Sequence, residues 1–316
     1  MPPAPVVVQP ECCLFEAPGE DSHKFMSRVC IIGLDCLTPQ LLFDSFADSL
    51  PNFEALRAQS QWGLLESSMP PITAPAWACM VTGYDPGTLG LYGFRDRLDH
   101  SYENRRLASS MSFSKPTLWS RLSRAGHSCR VLGVPLSWPP KPLRGYLVTG
   151  PMTPSRREAH TYPPEFAAEL HEKTGGFIFD IDGFRDLAPE DLNDKIVAMT
   201  EQRFDLAEAW VGQPDWDFFM MVDMGPDRMH HGLWQYAFSD HHGWQPDHPL
   251  SDAIRQYYER LDRRVGRLLA LLSPDDIVLV VSDHGAQSMR GGIAINQWLI
   301  IIMSHWDRAT LLVGNI

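Results

Sequence analysis

Residues 28–35, RVCIIGLD, are where the chain begins to read as a folded protein. A short apolar run without alternation is the pattern of a strand buried on both faces. It ends on an acid, Asp35. Two later stretches repeat the form: DFFMMVD, from Asp217 to Asp223, and DIVLVVSD, from Asp276 to Asp283. CRVLGV at 129–134, GYLVTG at 145–150 and WGLLES at 62–67 add further strands. Helical stretches lie between them. One opens at Pro39, a second covers 51–59, a third covers 116–125 before Gly126, and a long one runs from about Pro189 to Val211. The clearest, 251–272, lines up Ile254, Tyr258, Leu261, Val265, Leu268 and Leu272 on one face. Strands alternating with helices predict an α/β fold, a doubly wound and mostly parallel sheet flanked by helices.

Residues 1–27 are Pro-rich and aperiodic, and are expected to form a disordered leader before a folded domain over 28–316. Residues 151–215 are polar and Pro-rich early, and are expected to form an inserted cap. Over 316 residues, 44% hydrophobic content supports a sizeable core. The net charge of -12 is the wrong sign for gripping a nucleic-acid polymer, which needs a basic face. The six cysteines, Cys12, Cys13, Cys30, Cys36, Cys79 and Cys129, form no CxxC pair, so they read as reduced structural thiols. No signal-like segment and no membrane-length apolar run is visible, and the expectation is a cytoplasmic protein.

In a parallel sheet, ligands bind beyond the carboxyl ends of the strands, so the acids ending these runs should converge on one edge. Each such residue has a plainer reading on its own, since Asp is a common cap. Two of the ends carry more. Asp283 is followed by His284 and then Gly285, whose freedom permits a sharp exit turn. Asp227 and His231, in GPDRMHHGLW, lie four apart and share a helix face, while His230 points elsewhere. Carboxylate with imidazole suits zinc or manganese better than calcium. Thr73, in PPITAPAWACMVTG, sits just before a predicted helix with Pro75 in its first turn. It is either an N-cap or a nucleophile placed at the positive end of the helix dipole. His241, His242 and His248 read as members of a polar loop.

These blocks resemble the alkaline phosphatase superfamily, and within it the type I phosphodiesterase/nucleotide pyrophosphatase family. The resemblance runs from Arg28 to about Leu299. It rests on GLD at 33–35, TAPAW at 73–77 with TGYDPGTLG after it, DRMHH at 227–231, and SDHG at 282–285 followed by INQWL. It implies an alkaline-phosphatase-like fold and two divalent ions, zinc first and manganese second. Asp35, Thr73, Asp283 and His284 would hold one ion, and Asp227 and His231 the other. Thr73 would attack phosphorus in line to give a phosphothreonine, which water then hydrolyses. The amide of Ala74 and the guanidinium of Arg95 would bind the phosphate oxygens. The implied substrate is a small phosphorylated molecule, a phosphodiester or a pyrophosphate, nucleotides included. No nucleic-acid polymer or membrane enters as a partner, and the oligomeric state stays open.

This sequence departs from the family pattern in three ways. The second ion of the family takes a further His far downstream, a position that His305 fits poorly. The resemblance therefore implies a domain incomplete at its C-terminal end. Phe94 stands where nucleotide pyrophosphatases carry an Asn on phosphate, with Arg95 next to it. Trp77 stands where sulfatases carry Arg, which argues against a sulfatase. Two alternatives stay in play: a phosphomutase or phosphomonoesterase of the same superfamily, and a truncated, non-catalytic metal-binding remnant.

Overall fold

The three acid-ended runs form adjacent strands at the centre of one sheet. The structure is a computed structural model that describes residues 4–8, 27–99, 104–155 and 157–306. In chain order, β1 (Ala4–Val8), β2 (Val29–Leu34) and β3 (Gln61–Leu65) precede a separate hairpin of β4 (Arg95–Arg97) and β5 (Arg105–Leu107). Then come β6 (Cys129–Val134), β7 (Gly145–Thr149), β8 (Thr161–Tyr162), β9 (Phe218–Asp223) and β10 (Ile277–Val281). The main sheet has the order β3-β1-β10-β2-β9-β6-β7-β8. Its central five strands, β10, β2, β9, β6 and β7, run parallel. Antiparallel strands sit only toward the edges: β1 against β10 and β3, and β8 against β7.

Burial explains the sequence pattern. Every residue of β6 and β9 is buried, and β2 is buried from Cys30 onward. A strand covered on both faces has no solvent side, so it reads as a continuous apolar run. Each large side chain so buried contributes roughly 1.5–3 kcal/mol by area removed from water.

The helices are α1 (Pro51–Ala58), α2 (Thr73–Thr82), α3 (Pro86–Leu89), α4 (Leu118–Arg124), α5 (Phe166–Thr174), α6 (Pro189–Val211), α7 (Gly225–Ala237), α8 (Ala253–Leu269) and α9 (Ile295–Trp306). The apolar face predicted for α8 is buried at Ile254, Tyr258, Leu261, Val265 and Leu268. After β2 the chain forms a π-helical turn, Gln40–Ser45, rather than an α-helix. No described helix is long and apolar enough to cross a membrane.

Two organisational expectations need correction. Residues 4–8 of the supposed leader pair as β1 between β10 and β3. Pro-rich flanks hid a five-residue run with two strand neighbours. Residues 1–3 and 9–26, with Cys12 and Cys13, lie outside the described residues. The supposed cap over 151–215 is largely part of the main layers. Within it, β8 extends the sheet and α6 packs on β6 and β9, burying Ile196, Met199, Phe204 and Ala207. The polar residues of α6 form its outer face, so its composition imitated an exposed insertion. What remains over the sheet edge is the connection between α5 and α6, about residues 175–188.

Candidate metal and nucleophile site

The carboxyl ends of β2 and β10, neighbours in the sheet, bring Asp35 and Asp283 together. The chain leaves β2 through Cys36, whose positive φ of 61° turns its amide back to donate to Asp283 Oδ1 at 3.1 Å. Ser67 Oγ donates to the carbonyl of Asp283 at 2.6 Å and holds the exit of β10. His284 Nδ1 lies 3.3 Å from the Gly285 carbonyl. A carbonyl only accepts, so a hydrogen bond from Nδ1–H to it leaves the Nε2 lone pair available to an ion.

Thr73 completes the group. It is the first residue of α2, one position inside the helix, and its hydroxyl makes no capping bond. Instead Oγ1 faces Asp35 Oδ1 at 3.4 Å and His284 Nε2 at 3.2 Å. The N-cap reading therefore fails on geometry. The amide of Ala74 lies in the opening turn, ahead of the bond Ala76 donates to Ile72. Such amides form a ready anion site.

Trp77, one turn further along α2, donates Nε1–H to Asp35 Oδ2 at 2.7 Å. Its indole lies against β2 at Gly33. A Cβ there would sit 2.6 Å from Trp77 Cη2, 2.8 Å from Val222 Cγ2 and 2.9 Å from the Met221 carbonyl. The sequence reading assigned Trp77 no part in holding the site and gave Gly33 no role of its own within the GLD block. A Trp one turn beyond a proposed nucleophile, facing a strand glycine, is a signal that only the packed structure makes legible.

The electrostatics ask for a cation. Asp35, Asp283 and His284 are all buried and offer ligand atoms within 4.8 Å of one another. They are the one such group of three among the described residues. Burial, reinforced by Asp283 and Asp227, pushes the Asp35 carboxyl well above its usual range. Burial also pushes Asp283 up to about 7, helped by Asp227 and opposed by the Cys36 amide. Asp283 Oδ2 is buried with no hydrogen-bond partner. Two desolvated carboxylates, an orphaned oxygen and an imidazole lone pair fit a divalent ion well.

The second pair is built differently. Asp227 and His231 sit on the first turns of α7, with His231 Nε2 3.4 Å from Asp227 Oδ1, as their spacing predicts. Asp227 Oδ2 is already paired with Arg228, which also forks onto Asp180 at 2.7 and 2.5 Å. The His231 side chain is 51% exposed. His230 turns away, with Nδ1 3.5 Å from Cys36 Sγ and Nε2 3.1 Å from the Tyr258 hydroxyl. Burial holds its pKa down at about 3. His305 falls where side chains lie outside the described residues.

Two expectations shift. Asp223 ends β9 as predicted but does not join the cluster. Its Oδ2 accepts from Thr200 at 2.9 Å and Tyr257 at 3.0 Å, while its carbonyl accepts from the Asp35 amide at 2.9 Å. It is a structural anchor beneath the site. Arg95 does not line the site; its neighbour Phe94 does. Successive residues of an extended chain face opposite ways, and β4 presents Arg95 to solvent. Thr73, Phe94, Asp180, Arg185, His231 and His284 share one cavity of about 360 Å³. Asp180 and Arg185 come from the segment between α5 and α6. Sequence reading had no periodicity there to work with. Of the other histidines, His248 stacks on Tyr236 at 4.0 Å and His241 lies against His242 at 4.4 Å.

A family model described as type I phosphodiesterase / nucleotide pyrophosphatase matches residues 29–313. No curated protein gives a significant match in sequence. Among solved structures, the chain is similar to crystal structures of phosphonoacetate hydrolase from Sinorhizobium meliloti 1021. The complex with phosphonoformate gives a TM-score of 0.56 at 17% identity, and the complex with phosphonoacetate 0.56 at 18%. Both matches cover 82% of this chain and 57% of the other, so the chain spans little more than half the length of these structures.

Proposed function

The chain belongs to the type I phosphodiesterase / nucleotide pyrophosphatase family, and on that premise we propose that it is a metal-dependent hydrolase of phosphodiesters or pyrophosphates. One observation carries the reading. The hydroxyl of Thr73 is buried, leaves its own helix uncapped, and faces Asp35 and His284 inside a cavity. A threonine kept only for helix stability would spend its oxygen on the backbone.

In the proposed reaction Thr73 loses its hydroxyl proton to solvent and Oγ1 forms a bond to phosphorus, while the ester oxygen opposite departs with the bonding pair and is protonated by solvent, leaving a phosphothreonine. Water then displaces Oγ1 from phosphorus, releasing the phosphate product and restoring the hydroxyl. Asp35 and His284 orient Oγ1, and Trp77 and the Cys36 amide orient the carboxylates in turn. The open amides at the start of α2, that of Ala74 among them, are placed to take charge developing on the phosphate oxygens. Asp35, Asp283 and His284 would hold a divalent ion, whose positive charge would favour loss of the Thr73 hydroxyl proton. Asp227 and His231 are the pair for a second ion. Zinc is the first choice for both, with manganese second, because the donors are imidazole and carboxylate.

The substrate is read as a small phosphorylated molecule, nucleotides included, since a net charge of -12 disfavours a polyanion. The described cysteines, Cys30, Cys36, Cys79 and Cys129, are free, which fits a reducing cytoplasm. The test is turnover of bis-p-nitrophenyl phosphate. We expect activity with added zinc or manganese, loss on chelation, recovery on metal return, and none in Thr73→Ala. Full activity in Thr73→Ala would sink the nucleophile assignment.

A further inference from the structure

Two guanidinium groups line the cavity that holds Thr73, and they differ in one respect. Arg228 is saturated: its fork is taken by Asp180 and a further nitrogen by Asp227. Arg185 has no carboxylate partner among the described residues. Its guanidinium lies 4.3 Å from the ring centroid of Phe184, and Arg228 lies 4.5 Å from the same ring. Any anion entering the cavity thus meets Arg185 as the cation with hydrogen-bond donors to spare.

The segment that carries Arg185 is anchored from below. Ile178 donates its amide to Gln202 Oε1 at 2.8 Å, and Arg203 donates to the carbonyls of Ile178 at 3.0 Å and Phe179 at 3.2 Å. Both anchors come from α6, and Arg228 on α7 holds Asp180. The turn itself closes through the Asp186 amide on the Gly183 carbonyl at 2.8 Å, with Gly183 at a positive φ of 62°. An exposed side chain thus stands on a fixed base, which lowers the ordering cost of using it.

We propose that Arg185 forms a second oxyanion subsite, which receives a negatively charged group carried beyond the phosphoryl that Thr73 attacks. This rests on the hydrolase reading above and sharpens it: preferred substrates carry a further phosphate or a carboxylate on the leaving side, as a pyrophosphate does and a neutral aryl ester does not. A planar guanidinium takes either oxyanion through paired donors, so phosphate and carboxylate share one chemistry here.

The metal-loaded protein is titrated calorimetrically with three non-hydrolysable probes: methylenediphosphonate, 3-phosphonopropanoate and benzylphosphonate. The wild type should bind at least one of the first two more tightly than benzylphosphonate, and which one identifies the oxyanion. Arg185→Ala should shrink that preference about tenfold, the usual scale of a charge-assisted pair. Arg185→Lys should restore part of it, having the charge without the fork. No preference in the wild type, or an equal weakening of all three probes in Arg185→Ala, would overturn the subsite. Turnover of bis-p-nitrophenyl phosphate by the same preparations separates the two claims. Preference without turnover removes the hydrolase reading and keeps the subsite; turnover without preference does the reverse.

Discussion

The two proposed ion sites lie within one cavity system yet solve the problem of buried charge in opposite ways. Around Thr73, Asp35 and Asp283 are buried together with no Lys or Arg bonded to either, and the nearest basic group is the His284 imidazole, with Nε2 3.6 Å from Asp35 Oδ1 and 3.3 Å from Asp283 Oδ2. Around His231, the one acid brings its own cation, Arg228, and the imidazole stands half in solvent. An uncompensated pair of buried carboxylates is costly and is relieved either by protonation or by a bound cation. A carboxylate already paired with guanidinium gains less from an ion. On the proposed reading the first site is preformed for tight binding, while at the second an ion would share Asp227 with Arg228. Family membership alone would not separate them.

The largest expected effect tests whether the first site is the chemical one. Thr73→Ala should reduce turnover of bis-p-nitrophenyl phosphate by about a thousandfold or more while the tightly held ion stays bound. Turnover above a tenth of wild type would dissolve the contrast between the sites. Next, metal content after dialysis should divide two substitutions. Asp283→Ala should lose the tight ion, with affinity down about a hundredfold or more, whereas Asp227→Ala should keep it. Equal losses would mean the sites are one unit.

A third expectation concerns pH. Asp35 and Asp283 bind protons more tightly folded than unfolded, Asp283 with a pKa of about 7. Their contribution to stability is fully present below about pH 4, the unfolded carboxyl pKa, and falls by on the order of a few kcal/mol as pH rises toward neutrality. Chelated protein should show a falling melting temperature across that window, and metal-loaded protein a flatter profile. Identical slopes would contradict the picture of a site awaiting a cation. The smallest effect should come from Trp77→Phe, which removes one hydrogen bond to Asp35. Loss of such an orienting partner typically weakens the ion about tenfold, and competition with a chromogenic chelator would measure it.

How much of this was legible beforehand follows from where each residue sits. Asp35 and Asp283 stood out because buried parallel strands read as unbroken apolar runs, so an acid at the end is conspicuous. Asp223 looked the same in sequence, yet its side chain turns down onto Thr200 and Tyr257, residues 23 and 34 positions away. Strand-end pattern alone does not say which way a carboxylate turns. Asp227 and His231 were readable because helix spacing fixes a shared face. Arg228 as their cation was not, since adjacent residues point apart on a helix unless a third group, here Asp180, draws one round. The hairpin defeated the reading at Arg95 because the register of a short strand decides whether Phe94 or Arg95 faces inward. β1 and α6 were misread for a related cause: short or polar-faced elements declare their place only through their partners.

Gly33 has a consequence for how the protein tolerates change. It touches no substrate, bears no charge and lies inside a strand, so ordinary rules would rate a swap to alanine as mild. Here one added methyl group would press on Trp77, and through it on Asp35 and the helix that presents Thr73. A saturation screen for lost activity should therefore recover position 33 alongside Thr73 itself, as a silent partner of the nucleophile whose importance lies entirely in the room it leaves.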